Sequence, residues 1–349
     1  MPKKTMRRAV LAGPRKVELQ EVAIPEAGPD QVLVRVRACA LCTWEQRVFA
    51  GIDDRFYPLL GGHEVSGVVE TVGSGVDNPV SAGDRVAVAL LKRCGQCYAC
   101  RRGYNNICDH ARRAVGKGEI AGPGGLSEYV VAQGYQVFKV SDDLPFVEAC
   151  LSEPLACVLR SVKKVKIEYG DFVVIVGAGI MGLFHLLLAK QRGATVMVSE
   201  ISEARLAKAR ELGADFTINP EEEDLVGKVK ELTSGQGAEV IIAAIGAGSA
   251  IEAGVRAAAK GGRVQIFAAI QPRGTTITLD PDFFHHREIV LTGTMSQSWD
   301  DFRQATEVLS NRIIDVKPLI SKVHPLEEIE QAFEEAISLN TYRVVVTMD

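Results

Sequence analysis

The chain has 349 residues, of which 47% are hydrophobic and 24% charged, and it carries a net charge of −4. That length exceeds what one small core accommodates and predicts about two domains of ordinary soluble globular composition. The negative net charge argues against an electrostatic nucleic-acid or anionic-membrane partner.

The opening Met1-Pro2-Lys3-Lys4-Thr5-Met6-Arg7-Arg8 is basic, but Gly13-Pro14-Arg15-Lys16 ends the apolar stretch after it too early for a signal sequence. Residues 7–90 read as short strands, at 32–38, 67–72 and 84–88, separated by turn residues such as Gly28-Pro29-Asp30 and Ala82-Gly83-Asp84. This is the pattern of a β-rich, barrel-like domain. Cys94, Cys97, Cys100 and Cys108 follow as C-x2-C-x2-C-x7-C, four thiolates within fifteen residues, enough to surround one zinc tetrahedrally. Lys92, Arg93, Gly95, Gln96, Arg101, Arg102 and Gly103 are poor core formers, so this lobe needs the metal to hold its shape. An iron–sulfur run has a last gap of three followed by proline, whereas here the gap is seven and Asp109 follows. A nucleic-acid zinc knuckle sits in a basic module, which this chain is not. Two disulfides suit a secreted protein; eight cysteines, five of them with metal-ligand readings, fit a reducing cytoplasm instead. A glycine-rich surface loop at 116–125 closes the lobe.

From about Asp171 the pattern changes. Strand candidates at 173–176, 195–199, 240–244, 263–268 and 289–293 alternate with helix-like stretches such as 202–212 and 249–259. Strands alternating with helices predict a doubly wound parallel sheet. The window 172–189 is apolar apart from His185 and imitates a membrane span, yet a β-rich start, a central Gly-Ala-Gly and a Leu-rich end fit a strand turning into a helix. Within it, Gly177-Ala178-Gly179-Ile180-Met181-Gly182 is a dinucleotide cradle: a tight turn, a close backbone approach to pyrophosphate, and a helix N-terminus facing the phosphate charge. Glu200 ends the next strand and is placed to accept hydrogen bonds from the adenosine ribose, which favours NAD over NADP. Arg205, one turn later, is a candidate to flank the adenine. Glu221-Glu222-Glu223-Asp224 reads as a solvated helix start, and the C-terminal stretch as helices near 301–309 and 326–339 before a last strand at 343–346.

A second set of metal-ligand types comprises Cys42, His63, Glu64 and Glu153. A catalytic zinc wants about three protein ligands and one exchangeable position, which a Cys, a His and a carboxylate supply. Singly, each residue also has an ordinary structural reading: Cys42 a small buried hydrophobe, His63 a turn residue, Glu153 a residue at a helix start.

Gly62-His63-Glu64-Val65-Ser66-Gly67, with Gly73 and Val76, resembles the zinc signature of medium-chain alcohol dehydrogenases, and the cysteine lobe and Gly-rich turn match in order and spacing. Ser152-Glu153-Pro154-Leu155-Ala156 is most similar to the sorbitol, threonine and butanediol dehydrogenase branch. The resemblance implies a GroES-like catalytic domain (residues 1–151 and 292–349) around a Rossmann domain (152–291). It further implies that Cys42, His63 and Glu64 bind a catalytic zinc with Glu153 as ligand or close neighbour, and that the four-cysteine zinc is structural. By the same resemblance Arg343 reaches the cofactor pyrophosphate, and the protein is a homodimer or homotetramer joined sheet edge to sheet edge. One departure stands out: the family's hydroxyl and histidine of the proton relay, two and five residues after the Cys, are Trp44 and Arg47 here, with Thr43 one place early. The expected activity is zinc-dependent, NAD-linked oxidation of a secondary alcohol, a polyol, sugar or sugar acid, in which the metal acts as Lewis acid and hydride passes to the nicotinamide. The rival is a non-catalytic dinucleotide-binding regulatory or structural protein on the same scaffold, against which the retained Cys42, His63 and Glu64 argue.

Overall fold

The computed structural model describes residues 4–53, 56–111, 119–338 and 341–348. Residues 1–3 of the basic opening, residues 116–118 of the glycine-rich loop and Leu339 of the last expected helix lie outside the described residues. The chain divides into two compact units, Met1–Ala156 with Gln297–Asp349, and Cys157–Ser296.

The first unit begins with an antiparallel hairpin, β1 (Thr5–Gly13) and β2 (Lys16–Ala23), turning at Pro14 and Arg15. Next come β3 (Gln31–Ala40), β4 (Glu64–Val72), β5 (Arg85–Ala89), β6 (Tyr129–Gln133) and β7 (Val137–Lys139). β3 is almost wholly buried and pairs antiparallel with both β4 and β6. Its Val32, Val34 and Val36 line the core, as period-two alternation requires of a strand packed on one face.

The second unit holds β8 (Phe172–Val176), β9 (Thr195–Ser199), β10 (Phe216–Ile218), β11 (Ala238–Ala243), β12 (Ala258–Ile266) and β13 (Val290–Gly293). All six are parallel, in the spatial order β10-β9-β8-β11-β12-β13. This is the doubly wound arrangement, whose ligand crevice lies where the strand order reverses, at the carboxyl ends of β8 and β11. The apolar window resolves into β8 and the helix Ile180–Gln191, and among the described residues no helix is long and apolar enough to cross a membrane. Its single polar member is satisfied internally: His185 Nε2 meets Ser161 Oγ at 2.9 Å and Nδ1 meets the Met181 carbonyl at 2.7 Å. Burial lowers the His185 pKa to about 4, so the ring is neutral. Several boundaries differ from expectation: the strand expected to end at 268 ends at Ile266, and the helix expected from 326 is a 3-10 turn, Leu326–Glu328, followed by an α-helix, Ile329–Ala336. The helix expected to run to 259 ends at Ala257, because Ala258 is extended and begins β12 ahead of Gly261 and Gly262.

Two further strands, β14 (Ile320–Pro325) and β15 (Arg343–Thr347), belong again to the first unit. They complete a sheet in the order β14-β15-β3-β4-β5-β7, with β15 antiparallel to β3. The expected helix at 301–309 is Trp299–Ser310, opened by a capping box between Ser298 and Asp301.

Candidate functional site

Helix Thr43–Phe49 starts at Cys42, which is its N-cap. The carbonyl just before Cys42, that of Leu41, is gripped by the Gln46 side-chain amide at 2.9 Å and by Arg343 Nη1 at 3.0 Å, so the thiol is delivered from a fixed backbone. His63 and Glu64 come from the start of β4. The Cys42, His63 and Glu64 donor atoms all lie within 4.8 Å of one another.

Glu45 is the residue that sequence reasoning missed. It is wholly buried, and its Oε1 accepts hydrogen bonds from the Gly62 backbone N–H at 3.0 Å and His63 Nδ1 at 2.7 Å. That fixes the imidazole tautomer and leaves Nε2 for a metal. A signal was available: Glu45, Val48 and Phe49 form an i, i+3, i+4 buried face, so Glu45 occupies a core position that a lone acid does not take without a partner.

Arg343 is only 1% exposed, and its Nη2 lies 2.9 Å from Glu64 Oε1, so the guanidinium is held at the zinc donors. Glu153, in the first turn of helix Ser152–Val165, is buried and stands outside the three-donor group, yet its charge acts on both Glu64 and Arg343. Thr43 is exposed beside Cys42. Trp44 packs edge-on to Phe56 with ring centroids 5.4 Å apart and stands 6.0 Å from the His63 ring.

The donor set fits a divalent cation. Glu64 Oε2 and Glu45 Oε2 are buried with no hydrogen-bond partner, an unfavourable state unless a charge compensates it. Burial raises the Glu64 pKa to about 7, the Arg343 charge opposing and the Glu153 charge reinforcing the shift. Burial also raises the Cys42 thiol pKa. For His63 burial opposes the charge, but Glu45 and Cys42 together carry its pKa well above the usual value. The protons these groups hold are those a metal displaces.

The other cluster is Cys94, Cys97, Cys100 and Cys108, with all sulfurs within 4.8 Å. The Cys94–Cys108 and Cys97–Cys108 sulfur separations of 3.5 and 3.9 Å are far beyond a disulfide bond and near the edge of a zinc–thiolate tetrahedron. Backbone N–H groups of Gln96 and Cys97 point at Cys94 Sγ and lower its pKa to about 6. These N–H···S bonds favour the thiolate form that binds metal.

In the second unit, Gly177 has φ +102, and a Cβ on Gly182 would lie 1.9 Å from the Gly177 carbonyl oxygen, so neither position admits a side chain without distortion. A Cβ on Gly179, the N-cap of helix Ile180–Gln191, would meet nothing within 4 Å, leaving room for a phosphate at the helix start. Ile180 and Met181 form that helix's first turn. Glu200 follows β9. Its Oε2 accepts from Ala178 N at 2.9 Å and its Oε1 from Ile201 N and Ser202 N at 2.9 and 3.1 Å. The acid therefore braces the Gly-rich turn, with Arg205 Nη1 4.0 Å away.

Comparison with known proteins agrees. Residues 28–142 match the alcohol dehydrogenase GroES-like domain and residues 181–311 the zinc-binding dehydrogenase domain. The chain is 33% identical to D-arabitol-phosphate dehydrogenase of Enterococcus avium, over 93% of this chain and 92% of that one. It is 34% identical to L-threonine 3-dehydrogenase of Pyrococcus abyssi (strain GE5 / Orsay), over 94% of each. Its structure superposes with a TM-score of 0.90 on a zinc-binding dehydrogenase of Sinorhizobium meliloti 1021 bound to NADP, 29% identical, covering 99% of this chain and 100% of that one. The chain belongs to the zinc-binding medium-chain dehydrogenase family. It is accordingly a zinc-dependent, nicotinamide-dinucleotide-linked dehydrogenase with a GroES-like and a Rossmann domain, a catalytic zinc site at Cys42, His63 and Glu64, and a structural one at the four cysteines.

Proposed function

We propose that this enzyme oxidises the secondary alcohol of a polyol, sugar or sugar acid with NAD. The reading rests on the buried Cys, His and carboxylate donor set, near enough to a further carboxylate, Glu153, for its charge to act on Glu64. Zinc held there supplies Lewis-acid polarisation of the substrate oxygen. Around it, Glu45 orients His63 and Arg343 balances Glu64. Glu153 accepts the alcohol proton, Thr43 being the nearest hydroxyl in sequence to pass it outward, in place of the relay that Trp44 and Arg47 interrupt. A relative that acts on a polyol phosphate supports the substrate class. Glu200, with the backbone-braced carboxylate at the end of β9, supports NAD. Arg205 flanks the adenosine. The edge strand β13, whose Val290 is 53% exposed, offers the site for sheet-to-sheet pairing into a homodimer or homotetramer. We place the enzyme in the cytoplasm, where eight cysteines stay reduced.

The test is NAD reduction followed at 340 nm with a panel of polyols, sugars and aldonates, with and without a chelator. Chelator-sensitive reduction with at least one of them is expected. NAD binding without reduction by any of them, or reduction indifferent to a fully effective chelator, favours the binding-only scaffold or another chemistry.

A further inference from the structure

Several arginines of the first unit have carboxylate partners, as Arg343 has Glu64 at 2.9 Å, Arg7 has Glu128 at 3.0 Å and Arg312 has Glu148 at 2.6 Å, and others meet neutral acceptors, as Arg8 meets Gln20. Arg47 has none. It is half-buried in helix Thr43–Phe49, and among the described residues its guanidinium makes no ion pair or hydrogen bond.

Its position is set by the helix. Side chains three and four residues apart are neighbours on a helix surface, and they lean toward its N-terminus. Arg47 therefore covers the surface beside Trp44 and Thr43, toward the end that Cys42 caps. A rise of about 1.5 Å per residue puts its Cα roughly 8 Å along the axis from Cys42, a span that an arginine side chain largely bridges. Trp44, its i−3 neighbour, in turn stands 6.0 Å from the His63 ring. Glu45, the one acid of the helix, is turned into the core onto His63 and Gly62 and is not available to Arg47. The result is a permanent positive charge, within about one side chain of the zinc donors, with no ion-pair partner among the described residues. Holding such a group partly out of water is unfavourable unless an anion completes it.

We propose that Arg47 is a specificity-determining residue that binds an anionic substituent, carboxylate or phosphate, of the alcohol whose hydroxyl is presented to Cys42, His63 and Glu64. The planar guanidinium fork matches both anions with two parallel hydrogen bonds. Trp44 then lies beside the carbon chain between the hydroxyl and the anion. This assignment rests on the dehydrogenase reading above and narrows its substrate from polyols in general to their charged derivatives.

The experiment compares sorbitol, D-gluconate and sorbitol 6-phosphate as substrates for the zinc-loaded wild type, Arg47→Gln and Arg47→Lys. The readout is the ratio of kcat/KM for each anion to that for sorbitol. Loss of a charge-assisted contact should lower the ratio for one anion by about 10- to 10²-fold in Arg47→Gln, with partial recovery in Arg47→Lys. Which anion responds separates carboxylate from phosphate. An unchanged ratio for both overturns the proposal, including the case in which KM for NAD rises equally for all substrates and the guanidinium serves the cofactor. Should none of the three be oxidised, titration calorimetry with the same compounds tests Arg47 separately from the activity. Tighter binding of an anion than of sorbitol, lost in Arg47→Gln, upholds the site; equal affinities overturn it.

Discussion

At the scale of single residues, two carboxylates beside the zinc donors have different surroundings and so different work. Glu45 has one oxygen committed to His63 and Gly62, and its role is to aim the imidazole. Glu153 acts on Glu64 and Arg343 through its charge and lies outside the three-donor group, and it is the carboxylate proposed above as proton acceptor. Glu153→Gln should lower kcat by roughly 10²-fold, within the range of general acid–base assistance, with zinc still bound by metal analysis. Near wild-type turnover would remove it as proton acceptor, and loss of zinc would make it a ligand. His63 and Glu64 were legible because their motif is local, adjacent residues flanked by fixed glycines, and the resemblance that this motif carries placed Cys42 with them. Arg343 could be placed only by resemblance: nothing near it in sequence announces that β15 will lay its guanidinium against Glu64. Glu45 was missed although helical periodicity marked it.

Among the elements, the cysteine lobe is the piece least able to stand by itself. Its helix, Tyr98–Arg101, is a single turn with no buried residue, and Tyr98 is 73% exposed. With so little apolar packing, the fold of this segment follows the metal, whose binding contributes on the order of 10 kcal/mol in small zinc modules. Cys100→Ser should therefore reduce thermal stability and soluble yield far more than turnover per folded molecule, while zinc content falls from about two ions per chain to about one. An unchanged zinc content after Cys100→Ser would overturn the structural assignment. The lobe was legible from spacing because one short segment supplies all four ligands. The β1–β2 hairpin and the short strands β6, β7, β10 and β14 were not singled out. Strands of three to six residues carry too little periodicity to separate from turns and take their conformation from their neighbours.

For the molecule as a whole, division into a β-rich and a doubly wound unit followed from the change in periodicity near Asp171, where β8 begins one residue later. Cofactor choice is the property that the second unit contributes to overall chemistry. Glu200 is held by three backbone N–H groups, so it cannot easily turn away from a ribose phosphate. A 2′-phosphate would meet that carboxylate, and the repulsion together with the lost ribose hydrogen bond should favour NAD by on the order of 10²-fold in kcat/KM. Arg205, 4.0 Å from Glu200, opposes this in part, which is why Glu200→Ala should narrow the gap sharply. Comparable kcat/KM for NAD and NADP in the wild type would refute the assignment.

The pairing of β15 with β3 also sets an order of assembly. Translation delivers Cys42, His63 and Glu64 long before the strand bearing Arg343. The middle unit, a continuous stretch from Cys157 to Ser296, is free to fold while its predecessor waits for a missing strand. The four-cysteine lobe needs only fifteen consecutive residues and can take its zinc on the growing chain, whereas the catalytic donors gain the counter-charge for Glu64 only once β15 has been made. The structural site can thus form first, and the reactive one is completed when β15 pairs with β3.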